Sequence, residues 1–81
     1  MEKKIALVTG ASSGIGKSIA IELANSGFIV IINFSKSKEK AKEVQQEITQ
    51  HGGQSHIFQA DITLEKDISE LFNFIDQSFR N

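Results

Sequence analysis

Apolar residues fall into three short runs, each followed by a longer segment in which they recur every three or four positions. Lys4 to Thr9 is a predicted strand. Gly14 to Ser26 then reads as a helix, with Ile15, Ile19 and Leu23 at i, i+4, i+8 and the small residues Gly16, Ala20 and Ala24 on a neighbouring stripe. Gly27 is its predicted stop. Phe28 to Phe34 is a second strand, and its unbroken Ile29-Val30-Ile31-Ile32 core suits a parallel strand covered on both faces. Ser37 is the expected N-cap of a second helix running to about Gln50, where Ala41, Val44 and Ile48 repeat at i, i+3, i+7 and Gly52-Gly53 end it. Gln54 to Ala60 makes a weaker third strand. Thr63 then caps a third helix whose apolar face holds Leu64, Ile68, Leu71, Phe72, Ile75 and Phe79.

The order β-α-β-α-β-α, with short connections and no proline, predicts an α/β fold with a parallel sheet under packed helices. Right-handed crossovers set the strand order at 3-2-1, a three-layer half domain occupying residues 1–81 as one compact unit. In that order the first strand has a free, apolar edge.

Composition narrows the function. Net charge is −1 and the nine basic residues are dispersed, which argues against nucleic-acid and anionic-membrane partners. No cysteine is present, so disulfides and thiolate metal sites are excluded, and no apolar stretch is long enough for a secretory or membrane segment. The cytoplasm is the expected compartment. His51 is expected at a helix C-terminus and His56 mid-strand, facing solvent at a sheet edge; no metal site is expected from this pair.

The chemistry sits between the first strand and first helix. A pyrophosphate needs backbone N–H donors at a helix N-terminus and a main chain that can approach closely. Gly10, Gly14 and Gly16 meet that need at a strand-to-helix turn, with Ile15 between the last two and with Ser12 and Ser13 as hydroxyl donors. Gly16-Lys17-Ser18 ends like a nucleoside-triphosphate loop. That rival fails on spacing, because the glycine it requires five positions earlier is Ala11, and Lys17 is expected on the exposed side of the first helix.

Thr9-Gly10-x-x-x-Gly14-x-Gly16 resembles the signature of the short-chain dehydrogenase/reductase family, whose cofactor domain is Rossmann-type. The run Lys4 to Gly16 and the pair Asp61-Ile62 are similar, in particular, to the 3-oxoacyl-acyl-carrier-protein reductase branch. The resemblance covers nearly the whole chain and the first part of the family's domain. It implies that the Asp61 carboxylate accepts from the adenine amino group while the Ile62 backbone meets the ring. Asp61 can equally be read as a turn-former before the third helix.

An acidic residue at the end of the second strand selects NAD, by binding the ribose hydroxyls and repelling a 2′-phosphate. Phe34 occupies that position here. Beside it lie Asn33 and the donors Ser35, Lys36, Ser37 and Lys38, so NADP(H) is expected in preference to NAD(H), with Asn33, Ser35 and Lys36 among the contacts. By resemblance Lys36 stands where related reductases carry a basic residue, whereas Ser13 departs from members with arginine there. The other reading is that these lysines only solvate a loop and a helix start.

The family reduces carbonyls with a serine, a tyrosine and a lysine, the last two in a Tyr-x-x-x-Lys motif. The sequence has no tyrosine. No catalytic residue is therefore assigned, and the resemblance implies a shortened cofactor-binding portion, inactive alone or complemented by a separate chain carrying the catalytic half. A different class of reading is an interaction module with an unused nucleotide loop. It would form a homodimer, two chains pairing through their first strands with the Phe72, Phe74 and Phe79 region helping to bury the join.

Overall fold

Four consecutive β-branched residues can be buried on both sides only in the middle of a layered sheet, and that is where the chain puts Ile29 to Ile32. The computed structural model describes residues 4–10 and 14–79. It runs β1 (Ile5–Thr9), α1 (Gly14–Asn25), β2 (Ile29–Phe34), α2 (Lys38–Gln50), β3 (Gln54–Gln59) and α3 (Glu65–Phe79). The strands are parallel in the order β1-β2-β3, the predicted 3-2-1 read from the other edge. Ile5 pairs with Ile29, and Ile29 in turn with Gln54. Every residue of β2 is buried.

Strand side chains alternate between faces. On the first face Val30, Ile32 and Phe34 pack with Val8 against Ala20 and Ala24 of α1 and Ala41, Val44 and Ile48 of α2. On the second, Ile31 and Ala60 meet Leu71 of α3, with Ile5, Leu7, Phe58, Phe74, Ile75 and Phe79 partly buried around them. The result is three layers. Among the described residues no helix is long and apolar enough to cross a membrane.

Helices α1 and α2 end alike. The Phe28 N–H reaches the Leu23 carbonyl at 3.1 Å and the Gly27 N–H the Ala24 carbonyl at 3.0 Å; Gly53 and Gly52 repeat the pattern onto Ile48 and Thr49 at 2.9 and 3.0 Å. Both are Schellman closures, with Gly27 and Gly52 at the left-handed position. His51 caps the end of α2, its Nδ1 2.8 Å from the Glu47 carbonyl, as expected for a helix C-terminus.

Several side chains depart from the sequence expectation. On α1 the small stripe faces the sheet, because Ala20 and Ala24 let the helix lie close to it; Ile15 is 80% exposed and Ile19 is also exposed. On α3 the packed stripe is centred on Leu71, and Phe74 stacks on Phe58 with ring centroids 4.8 Å apart, so Leu64 and Phe72 are left exposed. Phe74 and Phe79 thus pack in part within the chain, and Phe72 is the most exposed of the three phenylalanines expected at a dimer join. His56 does not face solvent. It lies under α3 between Phe79 and Phe74, at 5.2 and 6.5 Å, with Nε2 buried. Ser37 precedes α2, yet its hydroxyl makes no capping bond. Thr63 turns its hydroxyl to Asp61 instead of capping α3.

Candidate functional site

Parallel strands all release the chain at one end of the sheet, and ligands of such folds bind outside those carboxyl ends. Here that end holds an open cavity of about 460 Å³, within the usual range for small-molecule sites. Gly10 lines it from the end of β1, Asn33 to Ser37 from the end of β2, Lys40 from α2, and Ala60 to Thr63 from the segment after β3. Thus Gly10, Asn33, Ser35, Lys36, Asp61 and Ile62, separated by up to 52 positions in the chain, are brought to one place. Gly14, Ile15 and Gly16 form the first residues of α1, beyond this lining. Ser12 and Ser13 lie outside the described residues.

Gly10 and Gly14, which flank the turn, have φ of +66° and +56°, and a Cβ at either would meet nothing within 4 Å. The left-handed backbone, and not crowding, is what calls for glycine at both positions.

The cavity walls are tied together. Asn33 donates from Nδ2 to the Ala60 carbonyl at 3.2 Å and, more weakly, to the Phe58 carbonyl at 3.4 Å. The Ala60 N–H continues the ladder to the Phe34 carbonyl at 2.9 Å, and Gln59 Nε2 donates to the Ser35 carbonyl at 3.0 Å. Asn33 is itself buried, so its amide group holds the β3 exit against β2. Phe34 points into the first-face core, and no carboxylate stands at the end of β2.

On the opposite wall Asp61 organises the turn into α3. Its Oδ1 accepts from the Thr63 hydroxyl at 2.6 Å and the Thr63 N–H at 2.9 Å, while its own N–H donates to Asp67 Oδ2 at 2.8 Å. The Thr63 hydroxyl bond, then the Thr63 N–H, and least the nearby Lys36 charge hold its carboxyl below the ordinary value, against a smaller opposing effect of burial. Asp61 is therefore an ionised acceptor on the rim, and Ile62 beside it is 47% exposed. Forming the turn and facing the cavity are compatible roles for Asp61.

Of the donor cluster read from the sequence, Ser35, Lys36 and Ser37 line the cavity and Lys38 does not, while Lys40, which sequence reasoning missed, does. The signal was available as the spacing Lys36 to Lys40 across the start of a helix, but the loop geometry that chooses between Lys38 and Lys40 is not a periodic feature. Lys17 is held by Glu47 of α2 at 3.6 Å, which occupies the residue the triphosphate reading would need.

Residues 4–81 match the family model for short chain dehydrogenases, and the chain belongs to the short-chain dehydrogenase/reductase family. It is 45% identical over 73 residues to the uncharacterized oxidoreductase YgfF of Escherichia coli (strain K12), covering 90% of this chain and 30% of that protein. It is 43% identical over 72 residues to the short-chain dehydrogenase/reductase homolog YusS of Bacillus subtilis (strain 168), covering 89% of this chain and 66% of that one, a much shorter relative. A metagenomic short-chain oxidoreductase solved in complex with NADP superposes with a TM-score of 0.90 at 29% identity, over 98% of this chain and 35% of that one. The chain thus spans less than a third of YgfF and just under two thirds of YusS.

Proposed function

We propose that these 81 residues form the cofactor-binding portion of a short-chain dehydrogenase/reductase and take NADP(H) in preference to NAD(H). The observation that carries this is the cavity at the strand ends, walled by Lys36 and Ser35 on one side and the ionised Asp61 on the other, with no acidic residue at the end of β2. The pyrophosphate lies over the turn between Gly10 and the first residues of α1, Gly14 to Gly16, with Ser12 and Ser13 adding donors. Asp61 Oδ2, which is not used by Thr63, accepts from adenine beside Ile62, and Asn33 holds the wall they stand on. Lys36 receives the 2′-phosphate. The bound dinucleotide supplies the hydride in this family's chemistry. The NADP complex of the metagenomic relative supports the choice of cofactor.

The likeness of Lys4 to Gly16 and of Asp61-Ile62 to 3-oxoacyl-acyl-carrier-protein reductases favours a carbonyl-reducing parent enzyme. With no tyrosine in the sequence, the proton donor and the substrate pocket belong to residues outside these 81, whether in the same polypeptide or a separate chain. These residues are inactive by themselves in this reading.

A second reading is favoured by one observation: β1 is an edge strand whose first three residues are only half-buried. There the nucleotide loop is unused and two copies pair through β1. Calorimetric titration with NADP⁺ and NAD⁺ separates the two. The cofactor reading expects saturable binding that favours NADP⁺ and falls about tenfold in Lys36→Ala. A folded chain that binds neither dinucleotide rejects it and leaves the interaction module.

A further inference from the structure

Lys40 is the residue of this cavity that the cofactor reading has not used. It stands in the first turn of α2, which begins at Lys38, and it lines the cavity together with Lys36 and Ser37. Three features of its surroundings leave its charge available. It makes no ion pair among the described residues. Ser37, at the start of the same helix, keeps its hydroxyl free of any capping bond. The acidic member of the cavity wall, Asp61, engages Thr63 through Oδ1 and makes no ion pair with Lys40 among the described residues.

The opposite side of the site offers no substitute. Gly10 to Gly16 contains no charged side chain, so cations near the adenosine end come from the β2–α2 connection. A phosphate ester carries up to two charges and three acceptor oxygens near neutral pH. One lysine whose field is shared with Asp61 balances it incompletely; a second cation and a free hydroxyl on the same wall complete the match. The orientation of α2 adds to this, since its N-terminus carries partial positive charge.

Resting on the cofactor reading above, we propose that Lys40 is a specificity-determining residue, acting with Lys36 and the Ser37 hydroxyl to bind the ribose phosphate that distinguishes NADP(H) from NAD(H). An unphosphorylated ribose gains nothing from Lys40. The residue therefore acts on the ratio of the two affinities and not on dinucleotide binding as such.

The test is calorimetric titration of the full chain and its Lys40→Ala, Lys40→Arg and Lys42→Ala variants with NADP⁺ and with NAD⁺. Lys42 is an exposed residue of α2 outside the cavity lining and controls for net charge. Lys40→Ala is expected to weaken NADP⁺ roughly three- to tenfold and to leave NAD⁺ within about twofold, a discount suited to exposed charges. Lys40→Arg should keep most of the preference and Lys42→Ala should keep all of it. Equal losses for both dinucleotides, equal effects of Lys40→Ala and Lys42→Ala, or no change in Lys40→Ala would overturn the role of Lys40 while the cofactor reading stands. Failure of the unmodified chain to bind either dinucleotide would overturn both.

Discussion

On one face of the sheet, α1 and α2 bury Val30, Ile32 and Phe34 under a continuous layer of alanine, valine and isoleucine; on the other, α3 alone covers Ile31 and leaves Ile5 and Leu7 half-buried. The difference comes from where each helix lies. α1 and α2 together span the sheet, whereas α3 sits over β2 and β3 and packs its aromatic rings on His56 and Phe58. Stability and availability are thus separated: the first face holds the fold together, and the part of the second face over β1 is open to contacts. The cavity lies at the strand ends between them, tied by Asn33 and Gln59, and depends on both faces keeping β2 in place.

The sharpest way to break this comparison is to hollow each face in turn. Ile32→Ala is expected to lower the unfolding free energy by about 4 kcal/mol, and Leu71→Ala by about 2.5 kcal/mol because exposed neighbours of α3 can relax into the gap. Equal losses by urea titration would mean that the faces contribute alike. A smaller effect tests how tightly the first face is closed. A Cβ on Gly53 would lie 2.8 Å from Ile48 Cγ2 and 3.2 Å from Ala24 Cβ, so Gly53→Ala should cost about 1 to 2 kcal/mol through overpacking. No loss there would show that the joint between the two helix ends is loose.

The smallest effect concerns the cavity wall. The Asp61 carboxyl is held below its ordinary value of 3.8 by the Thr63 hydroxyl first. Its contribution to stability is therefore present above that value and disappears as pH falls through the lower folded one. Unfolding midpoints of the parent chain and of Asp61→Asn should converge as acid is added between about pH 5 and pH 2. A difference that persists unchanged at the acid end would assign the turn to the Thr63 geometry alone.

Much of this architecture was legible because the Ile29 to Ile32 run has one comfortable location and because glycines bracket α1 and end α2. The element order, the strand order and the meeting of Gly10, Lys36 and Asp61 at one end follow from that alone. The choice of helix face did not. Two adjacent stripes on α1 have the same period, and the sheet selects alanine over isoleucine for closeness of approach. On α3, Phe72 and Phe74 are two positions apart, and only the Phe58 ring on a strand distant in sequence decides which is packed. The capping roles of Ser37 and Thr63 depend on the folded turns in the same way: the Thr63 hydroxyl goes to Asp61 and the Ser37 hydroxyl makes no capping bond, neither of which is a periodic feature.

β2 is hydrogen-bonded on both sides, while β1 has a partner on one. In a parallel strand the N–H groups point alternately left and right. The Ile29 N–H bonds to the Lys4 carbonyl at 2.9 Å, which turns Ala6 and Val8 toward β2 and sends the N–H groups of Ile5, Leu7 and Thr9 to the free edge. Deuterium uptake should therefore be uniformly slow along Ile29 to Phe34 and should alternate fast and slow residue by residue along Ile5 to Thr9. Any neighbour that pairs with β1 will erase the alternation, so the exchange pattern of this five-residue strand records whether its edge is occupied.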